Sequence, residues 1–142
     1  MVKKLVYIAS LGHSGSTLLD LVLGSHSKYI GLGEIAQVLK DSKDDFLKTR
    51  KVRCSCGEFM NDCEFWSPVT TRIAASSNKD MTRLYEIVLD SFYEKYGANC
   101  IPVDSSKYIK PLSVLNTIRD VQLKIVNIKK DVRNFAISQL DN

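Results

Sequence analysis

Six residues near the start of the chain, Gly12, His13, Ser14, Gly15, Ser16 and Thr17, have the composition of an anion-binding loop. Ser14, Ser16 and Thr17 offer hydroxyl donors, and Gly12 and Gly15 give the backbone freedom that other residues lack. A short apolar run precedes them and the apolar stretch Leu18, Leu19, Leu21, Val22, Leu23 follows. A strand, a small-residue turn and a helix start would aim unpaired backbone N–H groups, with the positive end of the helix dipole, at one point. The same composition also suits an ordinary strand-to-helix turn with a serine cap. Two further polar clusters bear on the choice: "DSSK" at 104–107 and "KKDVR" at 129–133, each closing an apolar run.

Those clusters need strands to carry them. Val2–Ser10 reads as a buried, central strand and Ser16–Ser25 as a helix. Residues 29–34, "YIGLGE", are a short extended piece ending in Glu34. Residues 35–53 are helical in part, with a charged solvated stretch from Asp41 to Lys51. The cysteine segment through Phe65, Trp66 and Pro68 reads as an irregular packed excursion, with both aromatics in the core. Met81, Leu84, Tyr85, Val88 and Phe92 follow the i, i+3, i+4, i+7 pattern of an amphipathic helix, capped from "SSNKDM" and stopped by Gly97. Strands at 100–107 and 123–128 are each followed by a helix, at 111–120 and 129–140. Asp131 suits the first turn of the last one. His26 reads as a cap or surface residue and Asp104 as a turn or cap. Strands alternating with helices predict a parallel sheet, whose ligands sit beyond the carboxyl ends of the strands. The expected class is α/β, a P-loop-like three-layer fold with a central parallel sheet flanked by helices. All three polar clusters then meet at one edge, which favours the anion-site reading.

Composition bounds the partners. The 142 residues make one domain with a real core, 44% hydrophobic and 25% charged. A net charge of +4, with no Lys/Arg cluster that approaches a nucleic-acid stripe, suits a small anion better than a nucleic acid. No apolar run is long enough for a membrane span, and the first ten residues are too short in apolar content for a signal peptide, so a cytoplasmic setting is expected. The four cysteines are then reduced. Cys54, Cys56 and Cys63 have the spacing C-x-C-x6-C, which lacks the second paired knuckle of common zinc sites; packing or a disulfide is expected there, and no metal.

A magnesium-triphosphate site needs a lysine in the loop and acids for the metal. The loop has no lysine, and "LKIVNI" ends without an acid. A P-loop kinase acting on a nucleotide or metabolite therefore stands as the alternative, as does a non-catalytic nucleotide-binding remnant of the fold. The chain resembles instead the sulfotransferases that use 3′-phosphoadenosine 5′-phosphosulfate (PAPS), especially bacterial members and the carbohydrate and tyrosylprotein branches. Four stretches over residues 3 to about 140 carry the likeness: "GHSGSTLLDLVLGSHS", "GLGE", "CSCGEFMNDCEFW" and "VNIKKDVRNFAIS". The first is similar to the 5′-phosphosulfate loop and the last to the 3′-phosphate motif.

The resemblance implies roles. Gly12, His13, Ser14, Gly15, Ser16 and Thr17 would bind the 5′-phosphosulfate of PAPS, and Lys130 and Ser138, eight apart, its 3′-phosphate, with help from Arg133. Glu34 would be the base that takes the proton of a hydroxyl acceptor on a carbohydrate, lipid or tyrosine. His13 stands where most relatives have Arg or Lys, and would face the leaving phosphosulfate. Lys107 would hold sulfuryl or bridging oxygens, beside the bland reading of a surface lysine. Lys130 replaces the usual arginine and lacks its bidentate fork. The family uses no metal. Its members usually run past residue 142, so residues 1–142 are expected to be one sulfotransferase-like domain that forms the N-terminal part of a longer one.

Overall fold

A computed structural model describes residues 2–43 and 53–140, with side chains for 2–41 and 53–137. Residues 44–51 of the charged stretch around Asp41–Lys51 lie outside the described residues. The first strand, β1 (Lys3–Ser10), leads through the small-residue loop into α1 (Ser16–Gly24). Then come β2 (Tyr29–Gly31), α2 (Ile35–Lys43), α3 (Trp66–Ala75), α4 (Met81–Tyr96), β3 (Ile101–Lys107), α5 (Ile109–Leu115), β4 (Val121–Ile128) and α6 (Val132–Leu140). The fold is α/β. Among the described residues four strands form one all-parallel sheet, in the order β2-β3-β1-β4.

Alternation along β1 builds the layers. Successive side chains of a strand point to opposite faces. Leu5 and Tyr7 enter a large core with residues of α2, α3, α4 and α5, including Ile35, Leu39, Trp66, Ile73, Leu84, Phe92 and Leu115. Val6 and Ile8 pair with Val103 in a smaller cluster on the other face, against Leu19 and Leu23 of α1. A strand buried on both faces is uniformly apolar, which is why "LVYI" does not alternate.

Two segments differ from expectation. The region around Phe65 and Trp66 is not wholly irregular: a helix starts at Trp66 and takes Pro68 within its first turn, where a missing N–H costs nothing. Both aromatics are buried, as expected. The helix expected at 111–120 instead runs over Ile109–Leu115. Pro111 again sits in a first turn, and Asp120, at φ 59°, ends the connection into β4. The piece at 29–34 contributes a strand to the sheet, paired to β3 through Tyr29–Ile101 and Gly31–Val103.

The best amphipathic helix has the ends its sequence announces. The Asp80 carboxylate accepts from the Thr82 N–H at 3.0 Å, and Gly97 at φ 72° donates its N–H to the Tyr93 carbonyl at 3.1 Å. Replacing an N-cap acid by alanine typically costs about 1 kcal/mol. Asp80→Ala is therefore expected to lower the urea-unfolding free energy by about that amount with an unchanged slope; an unaltered midpoint would show that the cap contributes nothing here. Among the described residues no helix is long and apolar enough to cross a membrane.

Candidate functional site

The loop between β1 and α1 opens the helix without a side-chain cap. Gly15 occupies the cap position at φ 87°, and its carbonyl accepts from the Leu19 N–H at 3.0 Å. Glycine at the cap offers no side chain to the first amides of α1, the groups an anion would bind. The left-handed conformations fall on His13, φ 57°, and Gly15; Gly12 does not use one. The freedom expected of Gly12 is thus exercised by its neighbour, a non-glycine residue at a conformation that costs roughly 1–2 kcal/mol. The Ser14 hydroxyl donates to the Leu11 carbonyl at 2.5 Å and so closes the loop on itself. Ser16 is buried and Thr17 exposed.

Lys130, beyond the end of β4, reaches this loop from the other side. Its Nζ donates to the His13 carbonyl at 2.6 Å. The two motifs that lie 117 residues apart are therefore in direct contact. Arg133 does not join them: its guanidinium pairs with Asp131 two residues back, at 2.9 Å. Asp131, whose carboxylate also accepts the Arg133 N–H, is held below the usual carboxylate range by that pairing. Ser138 falls in α6, and its side chain lies outside the described ones.

Glu34 and Lys107 come together. The Lys107 ammonium donates to Glu34 Oε1 at 2.5 Å. Lys107 closes β3 at φ 70°, one of three non-glycine residues with positive φ among the described residues. Two of those three, His13 and Lys107, are candidate site residues, which is where backbone strain tends to be retained. A partly exposed ion pair adds at most about 1 kcal/mol to stability, so this one matters for position.

The turn that carries Glu34 is held from three directions. Its Gly33 carbonyl accepts from the Ser105 N–H at 2.9 Å, and Ile35 and Ala36 donate their amides to Asp104 Oδ1 and Ser106 Oγ, at 3.3 and 2.9 Å. Asp104 is fully buried at the centre of this knot, where it also accepts from Tyr85 Oη at 3.0 Å and from the amide and hydroxyl of Ser106. Burial raises its carboxyl to about 6, against the lowering effect of those hydrogen bonds. It is a structural acid, as its turn-forming reading implies. From the far side, Asp20 of α1 reaches the same turn. It is buried, accepts a backbone hydrogen bond from Gly33, and is pushed up to about 6 by burial. Its other oxygen, Oδ1, has no hydrogen-bond partner among the described residues. Gly31 must be glycine beside it, since a Cβ there would lie 2.8 Å from Asp20 Oδ2.

Two clefts meet at the Glu34–Lys107 pair. One, about 790 Å³, runs along the carboxyl ends of β1, β3 and β4 and includes Ser10, Lys107, Asn127, Lys129 and Lys130. The other, about 510 Å³, lies between α2 and α5 and includes Glu34, Ser106, Met81 and Lys110. Tyr108 lines both, with its carbonyl fixed by the Tyr7 hydroxyl at 2.6 Å. The three polar clusters of the sequence thus converge on one edge of the sheet, and the lysines give that edge an anionic preference. His26, by contrast, is exposed and accepts the Lys28 N–H in its own turn, away from the clefts.

Comparison of the chain with protein-family models, curated proteins and solved structures finds no significant match. The reading of the site therefore rests on its own residues. Asp20 and Ser106 were not among the residues singled out above, although both position Glu34. Asp20 had a signal: it is the one acid in "STLLDLVLG", four residues after Ser16 and on the same helical face.

Proposed function

We propose that the chain binds PAPS along the carboxyl edge of its sheet and transfers the sulfuryl group to a hydroxyl acceptor. The observation that carries this reading is the Glu34–Lys107 pair at the junction of the two clefts. The cleft with Lys107, Lys129 and Lys130 suits the nucleotide, and the one that holds the Glu34 carboxylate suits the acceptor. The loop amides, with Thr17, hold the 5′-phosphosulfate; Lys130 supplies charge for the 3′-phosphate. In the reaction the acceptor oxygen bonds to sulfur as the sulfur–bridging-oxygen bond breaks. 3′-Phosphoadenosine 5′-phosphate (PAP) leaves, and the acceptor proton passes to the Glu34 carboxylate. Lys107 meets the charge that builds on the bridging oxygen. His13, exposed at the loop's tip, adds a hydrogen-bond donor to the phosphosulfate. Catalysis on this scheme is positioning and charge stabilisation, and no step calls for a metal. A reducing, cytoplasmic setting fits the four free thiols. The acceptor class, carbohydrate, lipid or tyrosine, follows from what fits between α2 and α5.

The test is thermal stabilisation by PAP, compared with ADP and Mg-ATP. A ligand at about 100 Kd adds roughly 2.7 kcal/mol, or about 8–11 °C for a domain of this size. PAP is expected to give the largest shift, and Lys130→Ala, a change at a half-buried side chain, to reduce it. A larger shift with Mg-ATP would overturn the reading in favour of a kinase. No shift in a folded sample would overturn it altogether.

A further inference from the structure

Cys54, Cys56 and Cys63 stand apart from the two clefts, on the excursion between α2 and α3. All are free thiols, and their three Sγ atoms lie within 4.8 Å of one another. The Cys56 and Cys63 sulfurs are 3.7 Å apart. A disulfide would bring them to about 2.05 Å. Two thiolates on one tetrahedral zinc, each about 2.3 Å from the ion, stand about 3.8 Å apart. The Cys56–Cys63 contact is too long for a disulfide and, as a thiol–thiol contact, already has the spacing of two sulfurs on one ion.

The surroundings of the sulfurs point the same way. Coordinated thiolates carry charge that backbone N–H groups stabilise, and each sulfur here has such a group. The Cys56 amide serves Cys54, the Glu58 amide serves Cys56, and the Trp66 N–H lies 3.5 Å from Cys63 Sγ. The turn that arranges this is tight: Gly57, at φ 94°, donates its N–H to the Cys54 carbonyl at 2.9 Å, and Cys54 donates to the Glu58 carbonyl at 2.8 Å. Exposure is graded. Cys63 is buried beside Phe65 and Trp66, Cys54 is half-buried and Cys56 is exposed, so an ion has one walled side and one way in.

We propose that Cys54, Cys56 and Cys63 form a thiolate site for a single zinc ion. Its fourth position is taken by water or by a carboxylate; Glu58 and Asp62 line the same cavity of about 300 Å³. This replaces the expectation of plain packing or a disulfide. The spacing C-x-C-x6-C lacks a second paired knuckle, but folding supplies the convergence that the spacing does not show. Loading releases the thiol protons as three Zn–S bonds form. The ion would also brace the catalytic turn. The Ser55 hydroxyl, between two of the ligands, donates to the Gly31 carbonyl at 3.1 Å, three residues before Glu34.

The experiment uses the full chain, reduced and stripped of metal, titrated with Zn²⁺ against a chromophoric chelator and separately with Co²⁺. One zinc per chain is expected, together with a thiolate-to-cobalt charge-transfer band and the visible absorption of tetrahedral cobalt. Cys56→Ser, an exposed change, should weaken zinc binding by more than about tenfold, while Cys100→Ser should leave it unaltered. Cys63→Ser removes a buried group and is not needed for the result. Absence of the charge-transfer band in the folded wild-type chain would overturn the site, as would unchanged zinc affinity in Cys56→Ser. So would an intact mass short of two hydrogens with two thiols no longer titratable, which assigns a disulfide. None of these readouts depends on PAPS, so the site and the proposed activity fail or stand separately.

Discussion

Glu34→Gln is expected to lower PAPS-dependent sulfuryl transfer by about 10²–10⁴-fold while leaving PAP binding nearly unchanged. The substitution keeps the shape of the side chain and an oxygen for the Lys107 ammonium, but removes the atom that takes the acceptor's proton. The two are held by different residues: the turn of this carboxylate by Asp104, Ser105, Ser106 and Asp20, and the loop by Ser14, Gly15 and Lys130. Binding and turnover should therefore separate. PAP release in the presence of carbohydrate, lipid and tyrosyl acceptors measures turnover, and the PAP thermal shift measures binding. Lys107→Met should also slow transfer, because it removes the charge facing the bridging oxygen and the partner that orients Glu34. The PAP shift tells the two apart: Glu34→Gln leaves it nearly unchanged, whereas Lys107→Met, which removes a lysine of the nucleotide cleft, reduces it. Wild-type turnover in Glu34→Gln would remove Glu34 from the mechanism.

Much of this site was visible in the sequence because its parts lie at strand ends. An apolar run that stops at a polar cluster marks a carboxyl end, and a parallel sheet brings such ends to one edge. Ser10, Lys107 and Lys130 meet for that reason. Periodicity located α4 because a 16-residue helix repeats its pattern four times over. It missed α3 and misplaced the bounds of α5, which are 10 and 7 residues long and carry a proline in the first turn, where proline marks a beginning and not an interruption. What the sequence hid were contacts made across layers. The Lys130 bond to the His13 carbonyl involves a backbone atom, which no residue type announces. Arg133 looked equally available, but an acid two residues before it takes its charge. The three sulfurs converge only because the Gly57 turn folds the excursion back on itself.

Stability should fall as pH rises from about 4 to 6, the reverse of ordinary acid denaturation. Asp20 and Asp104 both have carboxyls raised from 3.8 to about 6, in each case by burial. The folded chain then binds more protons than the unfolded one across that window. The stabilisation is fully present below the unfolded value and is lost as pH passes through the folded one. Each group corresponds to about 3 kcal/mol. The cost arises because hydrogen bonds do not match desolvation. Asp104 has several donors and is still raised, while Asp20 has one amide and an oxygen with no partner among the described residues. Asp20→Asn keeps the size needed against Gly31 and removes one titration, so the slope of unfolding free energy between about pH 4 and 6 should drop by about half. Urea unfolding at closely spaced pH values checks it. A flat wild-type profile would mean that both acids are solvated more than their burial implies. An unchanged slope in Asp20→Asn would assign the whole effect to Asp104. The same tie connects stability to the site: Asp20 links the helix of the anion loop to the turn of Glu34, so the charge it acquires as pH rises acts between the two halves of the proposed reaction centre.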